Sequence, residues 1–347
     1  MRLVLVPALC LFLTPAHAND GFGGIAATGL TFGQTEAVTM AEEELFISPD
    51  TIRVDYVFRN DSTQDVTGEV IFPMPPIPVE ATAYSDWNLP EDRDAADLVD
   101  FRATVDGRDQ PVTLDRIAVI EPSWDENAPL SRQYDTPGTD VTAELAALGL
   151  PLTVDHDKAA AALLALSPER RGQAVAAGLA EFYPAADGMP EQAVVLWSVL
   201  ARYHWTQTFP AGQELRISHS YRNRPPGGIF VWSQPAPDYM QDVTARYCID
   251  EGTSKAIAKR LANPQAGEED AVGMAYYISY VLHTANSWAG PIGRFRLTLD
   301  KGAAENVISL CAEGVEKTGP TTFVVEKTDY SPERDLEILI VAPMATE

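Results

Sequence analysis

The stretch that decides the fold class is Thr51-Ile52-Arg53-Val54-Asp55-Tyr56-Val57-Phe58-Arg59-Asn60, in which apolar and charged side chains alternate. A period of two residues is typical of a β-strand with one buried and one solvated face. A polar turn after Asn60 leads to a second apolar stretch at residues 66–72, which prolines from Pro73 onward end because proline donates no ladder hydrogen bond. The first part of the chain is therefore predicted to be antiparallel β.

The same kind of pattern extends in both directions from this stretch. Residues 37–48 predict another strand, and Asp106-Gly107 between two apolar stretches is typical of a hairpin turn. Residues 194–209 and 215–222 are two further strand candidates joined by a Pro-Ala-Gly-Gln turn. If that turn closes a regular hairpin, His204 faces His219. Further strands are predicted at residues 275–284, 294–299, 307–311, 323–328 and 336–342.

Residues 142–183 have a different composition, rich in alanine and leucine, and their spacing predicts short amphipathic helices. Ser167 before Pro168 has the features of a helix N-cap followed by proline in the first turn. This inserted segment either covers one end of a sheet or forms a lid or a partner-docking surface.

These patterns together predict a mainly β protein, an antiparallel β-sandwich with an inserted α-helical segment and a C-terminal β region. The predicted parts are a signal peptide at residues 1–18, an N-terminal part of the sandwich at 19–125, the helical insertion at 140–186, a β-hairpin that completes the N-terminal sandwich at 190–235, and a C-terminal β domain with a disulfide at 240–347.

The first eighteen residues predict export. They contain one cation, then an apolar run, and they end in Ala16-His17-Ala18, a small-residue pattern that indicates cleavage after Ala18. We therefore expect a periplasmic protein, with an extracellular location as the alternative. No later apolar stretch is long enough to span a bilayer, so no transmembrane segment is expected after cleavage.

Cleavage would remove Cys10 and leave Cys248 and Cys311. In an oxidising compartment two cysteines most simply form one disulfide. Two buried free thiols, or a metal pair, are the alternatives.

Charge and motif content exclude several function classes. The chain has 347 residues and a formal net charge of −25, which argues against nucleic-acid partners because phosphate backbones would be repelled. No glycine-rich phosphate loop, nucleophile elbow or zinc-protease motif occurs in the sequence. We therefore predict no catalytic residue, no metal ligand and no cofactor.

Five residues are candidate binding residues. His204 and His219, if they face each other, could bind a transition metal or repel when both protonate, or they could be a partly exposed structural pair. Trp205, Asn286 and Trp288 belong to an aromatic-rich part of the chain, and Trp288 lies in a Gly/Pro turn where a tryptophan is harder to bury. Packing in the core is the default expectation for the aromatic side chains, and a ligand contact is the alternative.

A family resemblance is carried by Asn19-Asp20, Ala41 to Ser48, Val54 to Asn60, Val70 to Pro75, Trp205 to Gly212, Tyr247-Cys248, and Asn286 to Phe295 ahead of Cys311. These segments resemble DUF4424, an exported bacterial family of unknown function. The resemblance covers essentially the whole chain after residue 18 and implies an envelope protein, but it carries over no activity and no catalytic residue. Separately, Tyr56 to Pro75 with Asp106-Gly107 resembles the N-terminal sandwich of VIT domains, without the von Willebrand A module that follows in those proteins.

The predicted function is non-catalytic binding of a protein or a cell-envelope component. The alternative is a cell-envelope hydrolase that acts on glycan or peptide. An enzyme would need a deep pocket in which carboxylates or histidines converge, whereas a binding module would show a shallow apolar and aromatic surface. The oligomeric state is not predicted.

Overall fold

The alternation of apolar and charged residues at positions 51–60 corresponds to a long strand with one buried face. The computed structural model describes residues 21–26, 29–122, 138–186, 188–262 and 271–344. In strand Thr51–Asn60, Val54, Tyr56 and Phe58 are buried, while Arg53 and Arg59 are exposed. The predicted signal peptide and its cleavage at Ala18 lie outside the described residues.

The strands, in chain order, are β1 (Gly21–Ala26), β2 (Gly29–Phe32), β3 (Val38–Ile47), β4 (Thr51–Asn60), β5 (Val66–Pro73), β6 (Ile77–Pro78), β7 (Asp86–Trp87), β8 (Arg102–Val105), β9 (Arg108–Gln110), β10 (Thr113–Ile120), β11 (Thr139–Asp140), β12 (Ala180–Tyr183), β13 (Gln192–Val195), β14 (Ser198–Phe209), β15 (Glu214–Arg222), β16 (Pro226–Trp232), β17 (Ala271–Tyr280), β18 (Ile292–Asp300), β19 (Val307–Leu310), β20 (Glu316–Lys317), β21 (Thr322–Tyr330) and β22 (Leu336–Pro343). The α-helices are α1 (Thr142–Ala147), α2 (His156–Leu164), α3 (Pro168–Ala176), α4 (Gln241–Arg246) and α5 (Glu251–Leu261), and short 3-10 helices span Glu80–Ala83, Asp238–Met240 and His283–Ser287.

The described strands form three main sheets and one two-stranded ribbon. The seven-stranded sheet has the order β11-β10-β14-β5-β1-β2, with β6 also paired to β14. The eight-stranded sheet has the order β20-β21-β18-β3-β4-β15-β8-β9, and the five-stranded sheet has the order β19-β22-β17-β16-β7. Strands β12 and β13 pair separately. The prediction of a mainly β fold with antiparallel sheets is confirmed.

The seven-stranded and eight-stranded sheets pack face to face through aromatic side chains. Phe72 of β5 contacts Tyr221 of β15 with ring centroids 5.6 Å apart, and Phe209 of β14 contacts Phe58 of β4 at the same distance. The five-stranded sheet joins the same core, because Tyr280 of β17 contacts Phe72 with ring centroids 6.2 Å apart. Burial of such rings is the main favourable term that holds the sheets together.

The predicted hairpin between β14 and β15 is wrong. Strand β14 pairs with β5 and β10, whereas β15 pairs with β4 and β8, so the turn carries the chain from one sheet to the other. Two hydrogen bonds of Asn60 stabilise the turn between the sheets. Its side-chain nitrogen donates to the carbonyl oxygen of Phe209, and its backbone carbonyl oxygen accepts from the N–H of Gly212. Gly212 has φ +67°, which glycine adopts without strain.

The short hairpin and the helical insertion agree with the sequence patterns. Strands β8 and β9 pair across Asp106-Gly107, where both residues have positive φ. The Ser167 side chain accepts a hydrogen bond from the backbone N–H of Arg170, which confirms the predicted cap. Helices α2 and α3 bury Leu163 and Ala174 in the large core, so the insertion covers part of that core.

The C-terminal strands are divided between two sheets, since β17, β19 and β22 belong to the five-stranded sheet and β18, β20 and β21 to the eight-stranded sheet. Strand β18 pairs in parallel with β3 and antiparallel with β21, which places the C-terminal residues 292–300 in the eight-stranded sheet. The disulfide between Cys248 and Cys311 is present, with a Cα–Cα distance of 5.0 Å, and this prediction is confirmed. The predicted domain boundaries stay a prediction.

Candidate functional site

The two histidines that the sequence pattern placed opposite each other lie in different sheets. His204 on β14 is opposite Ile71 in the seven-stranded sheet, and His219 on β15 is opposite Val54 in the eight-stranded sheet. The predicted pairing is wrong because the turn between the strands crosses between sheets. The two imidazoles therefore do not form the facing pair on which the shared-metal alternative depended.

His204 belongs to a buried hydrogen-bonded group on the face of β14 opposite Tyr203. Its Nδ1 lies 2.9 Å from Oε2 of Glu69, and the Thr206 hydroxyl donates to Oε1 of the same carboxylate. Glu69 is 4% exposed and both of its oxygens have partners. This arrangement gives both oxygens of a buried carboxyl group hydrogen-bond partners, which indicates a structural role.

His219 and Trp205 lie inside the large core. The imidazole of His219 is surrounded by the rings of Tyr56, Phe72, Phe101 and Trp205, with centroid distances between 5.2 and 5.6 Å. The indole nitrogen of Trp205 donates to the side chain of Gln207. Neither side chain is presented to solvent.

Trp288 is also buried, so core packing, the default expectation for the aromatic side chains, holds for it despite its Gly/Pro turn. Its indole is 3% exposed and contacts the rings of Phe22, Phe58 and Phe209 at centroid distances of 5.6, 4.4 and 5.4 Å. Asn286 is exposed and donates to the carbonyl oxygen of Pro332. A binding role for the five predicted residues stays a prediction, and the structure does not bring them together at one surface.

A cavity of about 700 Å³ lies between parts of the seven-stranded and five-stranded sheets. Residues of β10 and β14 line it from the first sheet, and residues of β17 line it from the second. The Pro73–Pro78 segment, the loop after β7, helix α4 and the connection after β15 contribute further lining residues. This volume is in the range of sites that enclose small molecules.

The lining is mainly apolar. It includes Leu89, Leu98, Val199, Leu200, Val243 and Ile278. Two of the five tyrosines of the lining, Tyr203 and Tyr221, add hydroxyl groups without charge, because burial raises their pKa above the ordinary value. Tyr203 donates to Oδ1 of Asp97 at 2.7 Å, which raises its pKa further. The apolar lining favours an organic molecule over a bare ion.

Four arginines line this apolar cavity, in a chain whose net charge is −25. Arg202 pairs with Asp115, and Arg246 pairs with Glu337 at 2.9 Å. Arg116 and Arg224 are different, because their hydrogen bonds go to backbone carbonyl oxygens of Ala95 and Asn88 rather than to carboxylates. The cavity therefore combines apolar walls with guanidinium groups.

Four of the five carboxylates of the lining have donors; the fifth, Asp242 in the first turn of α4, has none among the described residues. Glu337 accepts from Arg246 and from the Ser279 hydroxyl, and Glu121 accepts from the Ser198 hydroxyl. Asp140 accepts from the backbone N–H of Thr142. Of these carboxylates, Glu337 is paired with an arginine, whereas Glu121 and Asp140 accept from neutral donors.

A histidine and a buried aspartate also line the cavity. Nδ1 of His283 is hydrogen-bonded to Oδ1 of Asp335, which also accepts the backbone N–H groups of Leu282 and His283. Asp335 is 8% exposed. A carboxylate that fixes one ring nitrogen orients the other, as in general-base pairs.

The sequence patterns did not single out Arg116, Arg224 or His283. Arg116 lies on a strand with ordinary alternation, and Arg224 lies in a proline-rich connection after β15. The sequence does mark Arg224 in one respect: two prolines follow it, and they restrict the backbone from which its side chain extends. The site draws on distant segments, so no local motif marks it.

Among the described residues, no helix has both the length and the apolar character needed to cross a bilayer. A solved structure from Legionella pneumophila subsp. pneumophila str. Philadelphia 1, provisionally described as a nutrient binding protein, is similar at 14% identity, with a TM-score of 0.40, over 93% of this chain and 72% of that chain. At that TM-score the likeness supports no argument. No curated protein matches the chain.

The family resemblance read from the sequence segments is confirmed over nearly the whole chain. The matching family model is described as a domain of unknown function, DUF4424, and it covers residues 18–339, so the protein belongs to this family.

Proposed function

We propose that the protein is a non-catalytic, exported binding protein that takes a small component of the cell envelope into the cavity. The observation that carries the proposal is the cavity of about 700 Å³ with mainly apolar walls. Sites of this kind bury most of the surface of a small ligand, and a few polar groups fix its orientation. A small envelope molecule fits this shape better than a protein surface does.

The export part of the proposal rests on two supports. The sequence of residues 1–18 has the pattern of a signal peptide, and the disulfide between Cys248 and Cys311 is typical of an oxidising compartment. Fractionation of cells that express the full chain tests it: we expect the protein in the periplasmic fraction, shortened at Ala18, and recovery of the uncleaved chain with the cytoplasm would contradict it.

Binding is tested with a neutral apolar dye, Nile red, whose fluorescence rises in apolar surroundings. We expect saturable binding to the wild-type protein. Ala201→Trp should weaken it at least about tenfold, because Ala201 lines the cavity and the larger ring would fill part of the space. Ala176→Trp is the matched control, since Ala176 is exposed at the end of α3. The absence of saturable binding to the wild type would contradict the proposal.

A second candidate function, a cell-envelope hydrolase acting on glycan or peptide, is favoured by the pair of His283 and Asp335. An aspartate that orients an imidazole is the base arrangement of many hydrolases, although water would have to be the nucleophile here. Release of reducing ends or free amines from purified peptidoglycan tests it. If hydrolysis occurs and His283→Asn abolishes it without weakening Nile red binding, the enzyme is favoured; no hydrolysis favours the binding protein.

A further inference from the structure

We propose that the ligand carries an anionic group and that Arg116 and Arg224 bind this group, a specification that rests on the proposed binding function. The ligand class is an amphiphile, with an apolar body against the cavity walls and one carboxylate or phosphate at the guanidinium groups.

Arg224 supplies donors that the protein itself does not use. Its Nη1 donates to the carbonyl oxygen of Asn88 at 2.8 Å. Its Nε is buried and has no hydrogen-bond acceptor among the described residues. A guanidinium group has five N–H donors, and a buried donor without an acceptor costs free energy. An anionic oxygen of a ligand would remove that cost.

Arg116 lies on the inner face of the sheet, opposite Ala201. Its Nη1 donates to the carbonyl oxygen of Ala95 at 3.2 Å. Within the described ranges, neither Arg116 nor Arg224 forms an ion pair with a carboxylate. The loop after β7 therefore anchors both arginines by neutral carbonyl oxygens. Arg116 also contributes to lowering the pKa of Asp94, but that carboxylate is itself paired with Lys158 at 2.6 Å.

The partners of the other charged residues of the lining show which arginines are available to a ligand. Arg202 and Arg246 already pair with Asp115 and Glu337, and Asp335 is engaged with His283. Of the four arginines of the lining, only Arg116 and Arg224 have no carboxylate as an ion-pair partner in the described part of the chain. Charge-assisted hydrogen bonds to carboxylate or phosphate are the strong and specific contacts that guanidinium makes.

The net charge of −25 bears on how an anionic ligand could be bound. The overall field repels anions, so it does not concentrate them near the protein. Anion binding must then come from direct contact with the two arginines inside a cavity of low polarity, where such contacts are strongest.

The experiment compares ligands that share one tail and differ in the head group. Dodecanol, dodecanoate and dodecyl phosphate are titrated, below their micelle concentrations, against the protein loaded with Nile red. We expect the two anions to displace the dye at concentrations at least about tenfold lower than dodecanol. The order of the two anions distinguishes a carboxylate ligand from a phosphate ligand.

Substitutions locate the anionic contact. Arg224→Gln and Arg116→Gln should each weaken anion binding about tenfold and leave dodecanol binding unchanged, and Arg224→Lys should restore part of the loss. Arg222→Gln is the matched control, because Arg222 is exposed and pairs with Asp100. Unchanged dodecanol binding also verifies that each variant is folded.

Each outcome decides between the two proposals. Equal binding of dodecanol and both anions would overturn the anionic class while the binding function stands. An anion preference that survives both glutamine variants would overturn the assignment to these arginines. Loss of dodecanol binding together with anion binding would indicate a structural role and also count against the assignment. If neither Nile red nor any of the three amphiphiles binds, the proposed function itself fails.

Discussion

The large and the small hydrophobic core of this protein are stabilised in different ways. The large core lies between the seven-stranded and eight-stranded sheets and also receives side chains from the helical insertion and from β17. The small core is built on the other face of the five-stranded sheet, where Phe230, Trp232 and Leu339 pack against Ile257 and Leu261 of α5. The large core has sheets on both sides, whereas the small core has one sheet face and short helices.

The difference shows where this fold needs a covalent link. A core that buries many residues between two sheets is stabilised by apolar burial, whereas a small core supplies little net stability. The disulfide joins Cys248, just after α4, to Cys311, just after β19, at the edge of the small core. The cavity is lined by Tyr203 and Tyr280 of the large core and Tyr247 of the small one, so it lies along their boundary.

The largest effect is expected in the large core. Trp288→Ala removes an indole that contacts three other rings, so we expect a loss of about 3–5 kcal/mol in the free energy of unfolding, measured by urea denaturation. Tyr239→Ala, at a side chain that is 73% exposed, should change it by less than about 0.5 kcal/mol. A loss for Trp288→Ala no greater than that of the control would show that the two cores do not differ as described.

An intermediate effect is expected from the covalent link of the small core. Replacing both Cys248 and Cys311 by serine opens a loop with a sequence separation of 63 and should cost about 2–4 kcal/mol. Hydrogen exchange should rise first in α5 and β16 and remain slow in β4, since the two cores open separately. Equal loss of protection in both regions would show that they unfold as one unit.

The smallest effect concerns the helix that covers the small core. The Asp250 carboxylate caps α5 by accepting the backbone N–H of Thr253 at 2.6 Å, and this hydrogen bond lowers the pKa of Asp250. Asp250→Ala should cost about 1 kcal/mol at neutral pH in thermal or urea unfolding. Asp250→Asn keeps an accepting oxygen and should retain most of the stability.

The pH dependence of this cap has a defined sign. Because the folded-state pKa of Asp250 is lowered, its contribution is present above the ordinary aspartate pKa of about 4 and is lost as the pH falls through the folded-state value. The difference between the wild type and Asp250→Ala should therefore shrink in acid. A difference that stays constant down to about pH 2 would indicate that the charge of Asp250 has no role in capping.

Local patterns were sufficient for much of the fold. Alternation located β4, the turn residues Asp106-Gly107 located the hairpin of β8 and β9, and Ser167 marked the start of α3. The disulfide was predicted from the two cysteines that remain after the predicted cleavage at Ala18. The strand, the hairpin and the helix start depend on residues that are close in sequence, and the disulfide depends on the number of cysteines.

Features that depend on which sheet a strand joins, or on how the sheets pack, could not be predicted from local sequence patterns. A turn such as residues 210–213 looks the same whether its strands pair or enter different sheets, so the pairing of His204 with His219 could not be tested from the period alone. The burial of Trp288 depends on rings from β1, β4 and β14. The cavity requires Arg116 and Arg224 from different segments to line one space, which no sequence spacing encodes.

The parallel pairing of β3 with β18 has a consequence for the order in which the protein can be assembled. Arg294 donates to Glu42 and Glu44 across this pair, and 252 residues separate Arg294 from Glu42. Contacts so distant in sequence carry a large loop-closure cost and slow folding. The edge of β3 has no neighbour on that side until residues 292–300 pack against it, so the eight-stranded sheet is completed late in folding, and until then an open strand edge is available for pairing with other chains.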